Sequence, residues 1–302
     1  MKLLINIMLV LFMALPFNGF SQKKKNGFMD TTQVLLMRTL KNDVLENTRK
    51  VTCVYDKTGE LISELSQNWE NGWENDYLET TEYNSKGDSL CTLRKLWIRN
   101  TYSFESEYMI RTVWAYDPNG KQLLGSAQRF KDKKAKNYLK YKYDYDTNDR
   151  KVIQRVLIYN DIKWNNFERT NYLYDKNGFV KESIFQKWDP VNSTWFSVER
   201  KTFTNDEHGN VFFSVTQLIN ENEWVNQSRY SKDYDMTGKL LISIYETWNY
   251  TNDDPNARWI QQTKWAYAYH KNGSPKKTEN FKFVNGEWVS DQIIDYTYSQ
   301  TK

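Results

Sequence analysis

The 302-residue chain is poor in the residues that usually announce chemistry: two cysteines, two histidines and five prolines. Two cysteines exclude a disulfide framework, and with two histidines they leave no clustered metal-ligand set. Charge of one sign is scarce too, since 42 basic against 38 acidic side chains leave +4. That excess is too small to argue for nucleic acid or an acidic membrane surface. Beyond the first residues no apolar run is long enough to cross a bilayer as a helix. What is abundant is aromatic: 12 Trp, 21 Tyr and 15 Phe make 16% of the chain, at a mean hydropathy of −0.82. Disordered chains lack such rings. Polar residues interleaved with rings point to half-buried strands.

The start of the chain has the form of a secretory signal peptide. Lys2 supplies the positive end, Leu3 to Leu15 the apolar core, and Gly19 and Ser21 the small residues before a cut ahead of Gln22. Residues 1–21 are therefore expected to be removed, 22–30 to form a disordered basic N-terminus and 31–302 to form a single β-repeat domain. No cysteine follows the apolar stretch, so a lipid anchor is not expected; a periplasmic or extracellular home is.

A motif recurs through the remainder: Tyr55-Asp-Lys-Thr-Gly59, Tyr83-Asn-Ser-Lys-Gly87, Tyr116-Asp-Pro-Asn-Gly120, Tyr145-Asp-Thr-Asn-Asp149 and Tyr174-Asp-Lys-Asn-Gly178. It continues from Asn205, Tyr234 and Tyr269 and ends, truncated, at Tyr298. Periods near 30 residues signify stacked supersecondary units. Ten residues before the key position stand Trp73, Trp164, Trp195, Trp224, Trp259 and Trp288; fourteen after it stand Trp69, Trp97, Phe130, Tyr159, Trp188, Trp248 and Phe283. Ten of the twelve tryptophans thus occupy two register positions. All length variation falls between these anchors.

Asp first, Asn third and Gly fourth describe a type I turn closing on a left-handed glycine, a three-residue hairpin with a bulge. Asn285-Gly286 is a strong two-residue hairpin signal at the other end. Between turns the side chains alternate with period two, and Trp288, Ser290, Gln292, Ile294, Tyr296 and Tyr298 are expected to share one face. With a degenerate half repeat from Thr31 to Leu40, the count is 18 strands and no helix. The expected fold is all-β: a continuous antiparallel meander of eight hairpin repeats, curled or coiled into a superhelical or rolled sheet with the Tyr and Trp face inward. The rival is an outer-membrane barrel. Lys136, Lys140, Lys142 and Asp144 on one face of a strand, and Arg169, Arg200 and Arg229 mid-strand elsewhere, argue against it, because each cation at a bilayer midplane costs about 2–4 kcal/mol.

No catalytic constellation, metal site or cofactor motif is found. Cys53 and Cys91 are expected on one face but three strands apart, about 14 Å, too far for a bridge. His208 and His270 sit in turns without a placed nucleophile. The ridge Asp56, Asp117, Asp146, Asp175, Asp206 and Asp235 resembles a calcium ladder, but equivalent turns are about 9.6 Å apart, and each Asp is better explained by capping its own turn. Carboxylate pairs for glycoside hydrolysis are set by space and stay open. The candidate ligand-binding residues are the turn-edge aromatics Trp69, Trp73, Trp97, Trp188, Trp195, Trp248 and Trp259, with Gln67, Gln128, Gln186 and Gln217 two residues inward of the anchors. Rings flanked by amides can stack on sugars; opposed aromatics also lock hairpin register. The longest insertion, 249–258, is where a specific partner would be sought.

The units at Tyr55, Tyr116 and Tyr234 resemble the tyrosine-aspartate (YD) repeats of secreted bacterial shell proteins, and the Trp-Asn-Gly-Trp punctuation at 69–73 is similar to uncharacterised secreted repeat proteins of Bacteroidetes. The resemblance implies a β-meander outside the cytoplasm and carries over no catalytic residue. The functional expectation is a non-enzymatic secreted or periplasmic repeat protein offering a binding surface for glycan or protein. The alternatives are a polysaccharide-acting enzyme and a purely structural envelope component.

Overall fold

In the computed structural model the chain is described over residues 31–41, 44–99, 101–131, 134–249 and 257–300. The expected leader, the basic segment 22–30 and most of the 249–258 insertion lie outside the described residues. The strands are β1 (Thr31–Lys41), β2 (Val44–Tyr55), β3 (Leu61–Trp69), β4 (Trp73–Tyr83), β5 (Ser89–Ile98) and β6 (Ser103–Tyr116). Next come β7 (Gln122–Lys131), β8 (Lys134–Tyr145), β9 (Lys151–Tyr159), β10 (Trp164–Tyr174), β11 (Val180–Asp189) and β12 (Thr194–Asn205). The last six are β13 (Val211–Asn220), β14 (Glu223–Tyr234), β15 (Leu240–Asn249), β16 (Arg258–Tyr269), β17 (Pro275–Val284) and β18 (Glu287–Gln300).

Each strand pairs antiparallel with its sequence neighbours, and β1 also pairs with β18, from Thr31 opposite Gln300 to Thr39 opposite Gln292. The sheet is therefore a closed 18-stranded barrel, which overturns the expected superhelical or rolled sheet. The physical reason is the pair of edges. A rolled sheet leaves two rows of unpaired N–H and C=O groups, and joining them removes both edges. Gln33 seals the seam, donating from Nε2 to the Tyr298 hydroxyl at 3.0 Å and accepting from the Tyr55 hydroxyl at 2.9 Å.

The Asp turns form as their chemistry dictates. Asp56 N–H donates to the Glu60 carbonyl at 2.9 Å, Gly59 N–H donates to the Asp56 carbonyl at 3.0 Å, and Gly59 has φ +89°. The Asp56 carboxylate accepts from Thr58 N–H at 2.8 Å and Glu60 N–H at 3.0 Å. Tyr83, Tyr116, Tyr145, Tyr174, Tyr234, Tyr269 and Tyr298 each lock one hairpin to the one before it. For example, the Tyr83 hydroxyl donates to the Leu61 carbonyl at 2.9 Å and the Tyr174 hydroxyl to the Lys151 carbonyl at 2.7 Å.

A second bulge was hidden from the pattern. In the hairpins that end at the tryptophan edge, the returning strand carries one extra residue: Thr48, Asp76, Tyr138, Phe167, Val198, Gln227, Gln262 or Asp291. A one-residue slip moves every later side chain to the other face. Trp288 and Ser290 therefore share a face with Phe283 and Phe281, while Gln292, Ile294, Tyr296 and Tyr298 stand on the opposite one. The expectation of a common Tyr and Trp face is overturned. Lys136 likewise does not share the face of Lys140, and Cys53, opposite Gln33 and Glu64, lies on the other face from Cys91, opposite Glu82 and Val113.

Burial tells which face is inside. On the concave side of a barrel side chains converge and cover one another; on the convex side they splay. Gln33, Cys53, Ser66, Tyr77, Ala127, Ser228, Ser243, Thr278, Asn280, Ile294 and Tyr296 are buried, and the register puts them on the tyrosine face; Glu246, ion-paired with Arg229, is the buried exception on the other face among the described residues. The tyrosine face lines the lumen. The outward face near the Asp turns is exposed at Thr80, Glu82, Lys142, Leu173, Asp233 and Thr297. Eighteen strands at about 4.8 Å give a perimeter of about 86 Å and a backbone diameter of at least about 27 Å before tilt widens it. Among the described residues only Cys53, Tyr77, Ala127, Ile294 and Tyr296 are buried apolar side chains, as a hollow barrel requires.

Candidate functional site

The bulges divide the aromatics into two sets, a rim outside and two walls inside. At the rim, facing strands bring rings together edge to face: Trp69 with Trp73 at 5.0 Å between centroids, Trp188 with Trp195 at 5.1 Å and Trp248 with Trp259 at 4.9 Å. Trp97 packs on Phe104 at 4.9 Å. All seven candidate tryptophans thus lie along one rim, each engaged with a partner ring. Such pairs contribute about 0.5–1.5 kcal/mol beyond area burial.

Each Trp of a returning strand also carries a cation from two strands earlier. Lys50 lies over Trp73 at 4.9 Å, Arg169 over Trp195 at 4.7 Å, Arg200 over Trp224 at 5.0 Å and Arg229 over Trp259 at 4.7 Å. The glutamines complete this outer layer. Gln186 accepts from Arg169 Nε at 2.7 Å and donates to the Ser197 hydroxyl at 3.1 Å. Gln217 accepts from Arg200 Nε at 2.9 Å and donates to Asn226 at 3.0 Å; Gln67 donates to Asn75 at 2.9 Å. Ring faces and amides are therefore occupied by neighbouring strands. A shallow cleft of about 170 Å³ opens beside Trp97, where Arg99 pairs with Glu70 at 2.9 Å and Glu74 at 2.5 Å.

The lumen holds the two tryptophans outside the two register rows, Trp114 and Trp265. Trp114 on β6 lies across Gly125 on β7 and reaches Tyr141 on β8, with ring centroids 5.3 Å apart. Only glycine permits this, since a Cβ at position 125 would stand 2.1 Å from the indole. Tyr143 is two residues on, with the Lys151 ammonium 4.8 Å from its ring centroid. This is one wall. The other is built on β14 to β16: Tyr230 stacks on Tyr245 at 4.8 Å, and Lys232, Ser243 and Trp265 form the adjoining cross-strand row. Tyr267 follows, opposite Thr278.

Among the described residues, the hydroxyls of Tyr141, Tyr143, Tyr230, Tyr245 and Tyr267 have no hydrogen-bond partner, nor are they among the sealed, unpaired polar atoms. They open to the lumen. Burial raises the ionisation of the Tyr141, Tyr143, Tyr230 and Tyr267 phenols, that of Tyr230 to about 12, so these four stay neutral donors. Burial also lowers Lys151 and Lys232 below the usual lysine range. By strand order Tyr141 and Tyr143 on β8 and Trp265 and Tyr267 on β16 are eight strands apart one way and ten the other, nearly opposite across the barrel.

The remaining sequence candidates stay apart. His208 is exposed, 3.6 Å from Glu207, and His270 lies against Tyr298 with ring centroids 6.3 Å apart. Each Asp of the ridge is occupied with its own turn, and no group of three or more His, Cys, Asp or Glu that could hold a metal ion occurs among the described residues. Both cysteines are free; burial pushes the Cys53 thiol up to about 12. Sequence reasoning missed the walls. The available signal was that Trp114 and Trp265 fit neither register row.

No protein-family model matches the chain, and no curated protein matches it. Among solved structures the chain is similar to a porin-like protein from Bacteroides uniformis, with 11% identity and TM-score 0.42 over 90% of this chain and 98% of that one. A protein of unknown function from Bacteroides fragilis aligns with 16% identity and TM-score 0.35 over 39% of this chain and 89% of that one. A DUF3836 family protein from Bacteroides vulgatus aligns with 20% identity and TM-score 0.25, over 29% and 90% respectively. The chain is thus similar in structure to uncharacterised Bacteroides proteins.

Proposed function

We propose that this is a non-enzymatic protein of the cell envelope, a barrel wetted on both faces that binds glycan through the aromatic walls of its lumen. The observation that carries this reading is the contrast between the two ring sets. Beside the outward rings the amides and guanidinium groups are bonded to one another, whereas Tyr141, Tyr143, Tyr230, Tyr245 and Tyr267 of the lumen keep hydroxyls with no protein partner, the arrangement that hydrogen-bonds sugar hydroxyl groups beside a ring. On this reading the seven rim tryptophans hold register.

The secretory leader and kinship with tyrosine-aspartate repeats belong to the same proposal. The outward face supports a barrel that stands in water and not in lipid: Lys140 on β8 and Arg155 on β9 project outward mid-strand, with Lys142 and Asp144 on the same face toward the Asp turn. Each cation would cost about 2–4 kcal/mol at a bilayer midplane.

The test is quenching of tryptophan fluorescence by a glycan panel, with product analysis alongside. Saturable quenching without new reducing ends is expected. Turnover of any glycan would move the protein to the enzymatic alternative. No response to any glycan, with the fold intact, would leave the structural one.

A further inference from the structure

We infer that the lumen holds two equivalent, independent sites for acidic glycan, one on each aromatic wall, with Lys151 and Lys232 receiving the carboxylate or sulfate of the ligand. This rests on the glycan-binding reading above and adds the charge, number and place of the sites.

The argument starts from the lysines. The ion pairs of the lumen include Lys201 with Glu199 at 3.0 Å, so a carboxylate partner is within the reach of this architecture. Lys151 and Lys232 have no ion pair among the described residues. Lys232 is placed between Tyr230 and Tyr234 on the lumenal side of β14, in a row with Ser243 and Trp265. Lys151 lies over the Tyr143 ring. Removing an ammonium from water without a counter-charge is unfavourable, and an anion arriving at either position relieves that cost. Each wall thus supplies rings, hydroxyls with no protein partner and one cation without an ion pair. A sugar bearing a carboxylate or sulfate presents the complement of all three.

The separation of the walls sets the number. Two sheet faces whose side chains touch stand about 10 Å apart, whereas this barrel is at least about 27 Å across. A gap of about 17 Å is too wide for one stacked chain to meet both walls, because ring stacking acts at contact distance. Two ligands per barrel follow.

Titration calorimetry of the protein with uronic-acid oligosaccharides, against neutral glucan oligosaccharides of equal length, tests the inference. Two acidic oligomers per barrel are expected, with at least tenfold preference over the neutral ones at low salt. Lys151→Met and Lys232→Met should each reduce the stoichiometry to one. Tyr143→Phe and Tyr267→Phe, which remove only a hydroxyl and leave the packing in place, should each weaken one of the two sites severalfold. Equal binding of neutral and acidic oligomers would overturn this inference and leave the glycan-binding reading standing. A stoichiometry of one, abolished by either lysine variant, would replace two sites with a single bridged ligand and overturn it as well. Binding of neither oligomer by a protein that melts normally would overturn both.

Discussion

Closure of the barrel depends on a single seam, and Gln33 gives a direct way to measure it. Its side chain is only 3% exposed and bridges three strands, with the Tyr298 hydroxyl at 3.0 Å on β18 and the Tyr55 hydroxyl at 2.9 Å on β2. Gln33→Leu keeps the volume and removes both hydrogen bonds. Each is worth about 1 kcal/mol net, and the Tyr55 hydroxyl left without an acceptor costs about 1–3 kcal/mol more. The expected destabilisation is therefore about 3–5 kcal/mol, read as a lower midpoint in urea with an unchanged slope. Tyr298→Phe is smaller but not clean, since that hydroxyl also donates to the Pro275 carbonyl at 3.0 Å. A double-mutant cycle cancels the extra bond. The coupling between positions 33 and 298 should be about 1 kcal/mol. These residues are 265 apart in sequence and meet only if β1 and β18 pair, so a coupling of zero would refute the closed barrel.

Three further outcomes follow from the same geometry. Gly125→Ala should displace the Trp114 indole and destabilise by about 1–3 kcal/mol, as overpacking does; near-ultraviolet circular dichroism that stays unchanged would contradict the described stacking. The Asp turns should make stability fall in acid. Hydrogen bonds from Thr237 and the Lys239 amide hold the Asp235 carboxyl below the usual range, and Asp146 and Asp206 are lowered by Arg150 and Asn210 in the same way. A lowered folded value means this stability is present above about pH 3.9, the unfolded value, and is lost as pH falls through the folded one. Asp235→Asn should flatten that dependence in an acid titration of melting temperature. Finally, alkylation of the native protein should modify Cys91 alone, because Cys53 is buried and its thiol stays protonated; denaturation should expose both, and a mass two hydrogens short would reveal a bridge that the opposed faces forbid.

Local chemistry was legible along the chain because it is set by neighbours in sequence. The Asp-x-x-Gly turns, the Asn285-Gly286 turn, the strand count and the pairing of Trp69 with Trp73 or Trp248 with Trp259 all involve residues within a few positions of a turn. What they touch is decided before any long-range contact forms. Facing was not legible, because it depends on a bulge. Asp291 and Gln262 look like ordinary members of an alternating strand, and only the ladder shows that one residue is left without a partner. That single slip sends Trp288 outward and Tyr296 inward, separates Cys53 from Cys91, and leaves Trp114 and Trp265 as the tryptophans of the lumen.

Two cysteines already left no room for a disulfide scaffold, and the repeat spacing determined hairpins of a given length and number. Tertiary structure alone decided that the first and last strands meet. Pairing between residues some 260 positions apart leaves no local trace, and eighteen twisted strands can coil or close with the same alternation. Closure in turn creates an inside, and with it the two aromatic walls that no spacing in the sequence brings together.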